Sequence, residues 1–358
     1  MVGTGLIGTS LGLAARAAGA DVLLADVDSR RVDLAVSLGA GRPAEDAVGS
    51  AAAADLMIIA APPAAIGPIA EDAIQRDLAQ TVSHVGSVQT QPQVYLETHG
   101  CPVSRFVGSH PIAGRELSGP AHADAGLFQD RPWVVCPTDA TAEDATEMVL
   151  GLARACGAQP VLLDAGAHDR LFARLSHVPQ LVASALAASL AELAPEGVAL
   201  AGAGVRDTTR LADSEPEMWA EIAIANAGPV AAGIRAVAEP LLAVAAALEA
   251  HGDGHAAVRR LLEGGRTGRA LLPGKHGGAP TVLAEVQVVV PDQPGALADL
   301  LAAVASERIN LEDLRVDHSP EQQIGIAELV VSSAARDALV SALRGAGWTV
   351  TSGASTAL

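Results

Sequence analysis

Between residues 3 and 137, short apolar runs alternate with stretches of helical period, which predicts a mostly parallel sheet flanked by helices. Residues 21–26, 54–60, 81–85, 106–108 and 133–136 read as strands, followed by 161–163. From 168 to about 260 the pattern changes. Ala and Leu recur there at helical spacing with no convincing strand, which predicts a helical domain. The Gly-rich stretches 264–268 and 273–278 read as a flexible connection. Strand-like runs at 282–290, 309–316, 324–331 and 348–351, with helical runs at 296–307 and 334–346, then predict a ferredoxin-like βαββαβ unit. The chain thus reads as α/β, with a sheet domain over 1–160, an all-helical domain over 161–263, a linker over 264–280 and a final domain over 281–358.

Composition narrows the function. With 358 residues, half of them hydrophobic, the chain can bury several cores. A net charge of −18 argues against nucleic acid as partner, because phosphate binding needs clustered Lys and Arg. Cys101, Cys136 and Cys156 are scattered without metal or disulfide spacing, so a reducing cytoplasm is expected and no metal site. The apolar N-terminus lacks a basic lead and is broken by glycines, unlike a signal peptide. No unbroken apolar run of about 20 residues suggests a membrane span.

The clearest chemistry opens the chain. Gly3-Thr4-Gly5-Leu6-Ile7-Gly8 reads as a glycine turn entering a helix, where unpaired N–H groups and the helix dipole favour a pyrophosphate. Asp26 lies close to the spacing expected of the acid that accepts hydrogen bonds from a ribose, which favours NAD over NADP, although Arg30 and Arg31 could soften that choice. Such a turn should follow a buried strand, yet only Met1 and Val2 precede it. Either the first strand lies upstream of Met1 or the sheet lacks its central strand. The first is expected, since loss would expose the sheet interior.

Three further clusters stand out. Gly108-Ser109-His110-Pro111-Ile112-Ala113-Gly114-Arg115-Glu116 follows a strand, at the sheet edge where open α/β folds place ligands. His110 there is suited to accept a proton, or is a loop histidine satisfied by backbone. Ser176-His177-Val178-Pro179-Gln180 lies on the first long helix of the middle domain, as a binding cluster or a proline-kinked core helix. Arg206-Asp207-Thr208-Thr209-Arg210 suggests recognition of a carboxylate, with a solvated charge pair as the alternative.

In order along the chain, the glycine turn, Val85-Gly86-Ser87-Val88, the run from Phe106 through Glu116 to Ser118-Gly119, Leu127-Phe128, Trp133, His168-Asp169, Ser176 to Pro179, Arg206 to Arg210 and Met218-Trp219 resemble the prephenate/arogenate dehydrogenase family of tyrosine biosynthesis. The tail resembles an ACT domain, with Asp292-Gln293-Pro294-Gly295 matching its signature turn and Asn310 following the next helix. The resemblance implies a Rossmann-like domain holding NAD through Gly3, Gly5, Leu6, Ile7, Gly8 and Asp26. It implies that His110 hydrogen-bonds the substrate's ring hydroxyl with help from Ser87, and that Arg210 holds a carboxylate. Ser176, His177, Glu116 and Gln180 would line the substrate pocket. It further implies a homodimer made by the helical domain, with Trp219 directed at the partner's site, and a tyrosine effector bound by the ACT domain through Asp292, Pro294, Gly295 and Asn310. Two departures bear on substrate choice. His84 and Gln89 stand where the family pattern has Asp and Lys, and Gln180 stands where many members carry histidine. Rival readings are a non-catalytic amino-acid sensor on a degenerate Rossmann scaffold and another NAD-dependent dehydrogenase with an ACT tail.

Overall fold

A computed structural model describes residues 1–44, 54–114, 119–250, 253–272, 283–318 and 324–351. The chain divides into two compact units, Met1–Val237 and Ala238–Leu358.

The first unit begins with α1 (Leu6–Ala17), β1 (Leu23–Leu24), α2 (Ser29–Ser37), β2 (Arg42–Pro43) and β3 (Ala54–Ile59). Then come α3 (Pro63–Gln75), β4 (Ala79–His84), α4 (Thr90–Thr98), β5 (Phe106–Pro111), β6 (Pro132–Cys136), α5 (Glu143–Ala155) and β7 (Gln159–Leu162). Strands β3 to β7 form one sheet in sequence order, parallel except for the antiparallel β5–β6 pair. Strands β1 and β2 pair in parallel beside it.

Val2 joins the two, bridging Ala25 on one side and Ile59 on the other, both in parallel. Its N–H donates to Ile58 and its carbonyl accepts from Ala60, at 2.8 and 2.7 Å. At the central position the sheet thus holds a bridging residue, Val2, rather than a full strand. Residues 1–3 take the strand's place, giving the doubly wound order that puts a crevice at the end of the glycine turn. Both faces of the sheet are covered. Leu11, Phe128, Trp133, Val135 and Val149 pack on one side, and Ile66, Ala70, Leu96 and Phe106 on the other. Each large apolar side chain so buried stabilises the fold by ~1.5–3 kcal/mol.

From 165 onward the unit is helical. α6 (Ala165–Phe172) runs through one π-helical turn (Ala173–His177) into α7 (Val178–Ser189). α8 (Pro195–Val198), α9 (Ala203–Thr209), α10 (Pro216–Ala225) and α11 (Ala227–Glu249) follow, the last running past the end of this unit at Val237. By length and composition α11 could cross a membrane, but Arg235, Glu239 and Pro240 fall within it.

The second unit contains α12 (Gly254–Arg269), β8 (Leu283–Pro291), α13 (Ala296–Ser306), β9 (Asp313–His318), β10 (Ile324–Ser332), α14 (Arg336–Gly345) and β11 (Val350–Thr351). The antiparallel sheet β11-β8-β10-β9 has the expected βαββαβ connectivity. Ala284, Val286, Val288 and Val290 alternate along β8, and the last three join Leu300, Val304, Leu339 and Leu343 in one core.

Two boundaries differ from expectation. Residues 264–268 are not a flexible connection but lie inside α12. Asp253 caps that helix by accepting the Ala256 N–H at 3.1 Å, and once nucleated it runs through Gly264, Gly265 and Gly268 despite their cost. Of the expected linker, 273–280 lies outside the described residues. The strand expected at 309–316 starts at Asp313, because Ile309 and Leu311 serve the core from the preceding loop.

Candidate active site

The glycine turn has the geometry a dinucleotide requires. Gly3 has φ +92°, and a Cβ there would strike the Ala60 carbonyl. A Cβ on Gly8 would strike the carbonyl of Gly3, so strand and helix meet here only because both residues are glycine. Around Gly5 there is nothing within 4 Å of a Cβ position, so the space beside the α1 N-terminus is open. Leu6 and Ile7, in the first turn of α1, pack on the sheet core. Asp26, just beyond β1, ties the turn down. Its carboxylate accepts the Thr4 N–H at 2.6 Å, the Thr4 hydroxyl at 3.1 Å and the Asp28 N–H at 3.0 Å. Burial alone would raise its pKa, but these hydrogen bonds and nearby Arg31 outweigh it and hold the carboxyl below its usual range. Arg30 is forked onto Asp28 at 3.0 and 2.9 Å.

The second half of the site is a buried chain of polar groups. His110, near the end of β5, places Nδ1 2.9 Å from Nε2 of His168, whose Nδ1 lies 2.8 Å from Oδ1 of Asp169. The Asp169 carboxylate also accepts the backbone N–H groups of Gln89 and Thr90 at 2.9 and 2.8 Å, at the start of α4. These bonds and the one from His168 hold its pKa below the usual range, against the opposing effect of burial. An ionised carboxylate only accepts, so His168 donates from Nδ1, and in its neutral form it accepts at Nε2. His110 then donates from Nδ1, and its Nε2 is left with a lone pair. Burial, then the neighbouring imidazoles, push the pKa of His110 well below 6.5, with Asp169 pulling the other way. Phe172 stacks on His168 at 4.4 Å and tilts against His110 at 5.0 Å, fixing both rings.

Asn226 extends this chain. Its Nδ2 donates to the Asp169 carbonyl at 2.8 Å and to Nδ1 of His177 at 3.1 Å. His177 therefore carries its hydrogen on Nε2, a buried donor with no partner among the described residues. Burial lowers its pKa to about 4. The π-helical turn presents His177 here, and π turns are frequent at functional sites. One turn further along α7, Gln180 donates to the carbonyl of Leu211 at 2.6 Å. Gln180 thus grips the turn Arg210–Ala212 that carries Arg210, an exposed residue.

The structure therefore links His110 and His177 through His168, Asp169 and Asn226, while Gln180 bonds separately to the turn that carries Arg210. Ser87 is half-buried on the turn after β4 but makes no hydrogen bond to His110, and Ser176 is half-buried on the π turn. Glu116 lies outside the described residues. Trp219 meets the edge of His177 in its own chain, 6.4 Å between ring centres. In the second unit Asp292, Pro294 and Gly295 form an exposed turn before α13, with Gly295 at φ +95°, and Asn310 donates to Glu312 at 3.0 Å. Sequence reasoning missed Asn226, a lone amide between two apolar helices that no motif marks. It left His168 and Asp169 without a role.

A doubly wound sheet with this turn, this acid and a buried histidine chain defines a dinucleotide-dependent dehydrogenase. Comparison with known proteins makes it particular: the chain belongs to the prephenate dehydrogenase family. Residues 11–162 match the prephenate dehydrogenase nucleotide-binding domain, and 164–262 its dimerization domain. The chain is 32% identical over 357 residues to a probable prephenate dehydrogenase, NovF, of Streptomyces niveus, covering 97% of this chain and 98% of that one. It is 27% identical over 343 residues to the prephenate dehydrogenase of Bacillus subtilis, covering 93% and 91%. Among solved structures, prephenate dehydrogenase from Aquifex aeolicus in complex with hydroxyphenyl propionate and NAD+ aligns with a TM-score of 0.67 and 26% identity, covering 76% of this chain and 96% of that one.

Proposed function

We propose that this protein catalyses the NAD-dependent oxidative decarboxylation of prephenate to 4-hydroxyphenylpyruvate, or of arogenate to tyrosine. The observation that carries the reading is the Asp169–His168–His110 chain, which leaves His110 Nε2 as an acceptor. The open space at Gly5 and the Asp26 carboxylate suit a pyrophosphate and a ribose diol, so the glycine turn, Leu6, Ile7 and Asp26 would hold NAD. Bound there, NAD supplies the hydride acceptor.

The protein's own groups manage the proton and the carboxylates. As the ring carbon bearing the hydroxyl gives up hydride, its C–O bond becomes a carbonyl and the hydroxyl proton passes to His110 Nε2. The ring carboxylate then leaves as CO2. Its bonding electrons enter the ring, and the phenolate formed recovers the proton from His110. Burial disfavours a charged imidazole, so the return is downhill. Arg210 would grip a carboxylate of the substrate as a bidentate fork. Nε2–H of His177 would donate to substrate or to the nicotinamide amide, and Ser87 would assist at the hydroxyl. Ser176 and Glu116 belong to the same pocket on the strength of the resemblance. Gln180, engaged with Leu211, acts through Arg210 rather than by touching the side chain that distinguishes prephenate from arogenate.

Residues 164–262 would form a homodimer, since Leu171, Leu175, Leu186, Leu200 and Ile224 are exposed apolar side chains that a second copy would cover. The βαββαβ unit would act as an ACT domain sensing tyrosine at Asp292, Pro294, Gly295 and Asn310, and the protein would work in the cytoplasm. The test is NADH formation with prephenate and with arogenate, with and without added tyrosine. Failure to turn over either substrate would refute the assignment.

A further inference from the structure

The parallel ladder between β4 and β5 ends at His84 opposite Gly108. Beyond it the two chains part, one into the Gly86-Ser87 turn and the other on to Ser109 and His110. Gln89 sits in the fork, 1% exposed. Its Nε2 donates to the Gly86 carbonyl at 2.7 Å and to the Ser109 carbonyl at 3.2 Å. Those carbonyls belong to the residues immediately before Ser87 and His110. The Gln89 backbone N–H meanwhile donates to Asp169.

We propose that Gln89 is a positioning residue that sets the spacing of Ser87 and His110 and anchors the far end of the histidine chain. The inference rests on the dehydrogenase reading above. Two features favour it over plain packing. Gln89 Oε1 has no hydrogen-bond partner among the described residues, so the bridge from Nε2 orients the carboxamide. An apolar side chain of that size would fill the space without leaving a buried oxygen unpaired, and what only the amide adds is the bridge. Space has also been kept for it: a Cβ on Gly108 would lie 2.5 Å from Gln89 Oε1 and 3.3 Å from His84 Nε2.

The experiment compares full-length Gln89→Leu, Gln89→Lys and Gly108→Ala with the unaltered protein. It measures kcat, both KM values, NADH affinity by fluorescence and the pH profile of kcat. Gln89→Leu should lower kcat about 10–100-fold, with KM for NAD and NADH affinity within about twofold. Gly108→Ala should act in the same direction by displacing the carboxamide, and it decides the matter if Gln89→Leu does not fold. Gln89→Lys restores donors to both carbonyls, so it should recover most of kcat. Its acidic limb should move to lower pH, because a cation disfavours the imidazolium. Unchanged kcat in Gln89→Leu and Gly108→Ala would overturn the proposal, as would equal losses of kcat and NADH affinity, or no recovery with lysine. If the unaltered protein oxidises neither substrate, the functional reading falls and this role falls with it. If it does oxidise one, the variants judge Gln89 alone.

Discussion

His110 and Asp169 occupy opposite ends of one hydrogen-bonded line, and their substitutions should separate chemistry from binding. His110→Asn keeps a polar side chain of similar size but loses the lone pair that receives the hydroxyl proton. Its kcat should fall by about 10²–10⁴ while NADH affinity stays within about twofold, because the hydrogen bond and ring contacts of His110 go to His168 and Phe172. Normal turnover in that variant would refute the proton-acceptor role. Asp169→Asn removes the charge that obliges His168 to donate from Nδ1, so the tautomer of both imidazoles is no longer specified. A kcat loss of similar order is expected, with the acidic limb displaced to lower pH as the attraction that raises the His110 pKa disappears. Asp169 also holds the first N–H groups of α4, so a stability loss of about 1 kcal/mol should accompany it. At this scale the sequence showed single residues and not their partners. His110 stood out because a polar cluster followed an apolar strand. Asn226 and the orientation of Gln89 arise from contacts between segments distant in the chain, which no local pattern encodes.

The elements that carry the site differ in what their residues must tolerate, and the glycine turn shows it best. Gly8→Ala forces a methyl group onto the Gly3 carbonyl, a backbone atom that cannot yield, so overpacking should cost at least about 1–3 kcal/mol and lower the melting temperature. A Cβ at Gly5 has nothing within 4 Å, so Gly5→Val should melt close to normally. Because its side chain would enter the space assigned to the pyrophosphate, the KM for NAD should rise about tenfold or more. A fall in melting temperature with Gly5→Val, or none with Gly8→Ala, would show that the turn is misread. Strand and helix types were readable wherever apolar periodicity persisted over several residues, as in β3, β4, β8 and α13. The errors fell where local composition opposed a favourable start: the glycines of α12 were outweighed by its Asp253 cap. The central position filled by Val2 was unreadable for another reason, since so short a segment has no periodicity and only its two neighbours define it.

For the molecule as a whole, the buried imidazoles make stability depend on pH with a predictable sign. In the unfolded chain each histidine takes up a proton near pH 6.5. In the folded protein burial lowers His84 to about 3 and His177 to about 4, and His110 lies well below 6.5. Above pH 6.5 neither folded nor unfolded chain is protonated at these positions, and their contribution is fully present. As pH falls below 6.5 the unfolded chain binds protons that the folded one refuses, so stability drops by ~1.4 kcal/mol per pH unit for each such histidine. His84 and His177 together then remove about 4 kcal/mol between pH 6.5 and 5, a large share of a typical folding free energy. Urea unfolding midpoints should therefore decline steeply from pH 6.5 to 5. His84 is the histidine to change, because it lies outside the line from Asp169 to His110 and its ring accepts only the Gly86 N–H, at 3.1 Å. His84→Gln should remove about a third of that decline. A midpoint independent of pH between 6.5 and 5 would mean that these rings are open to solvent, and the histidine chain would then lose the dry surroundings that make the return of the proton from His110 downhill.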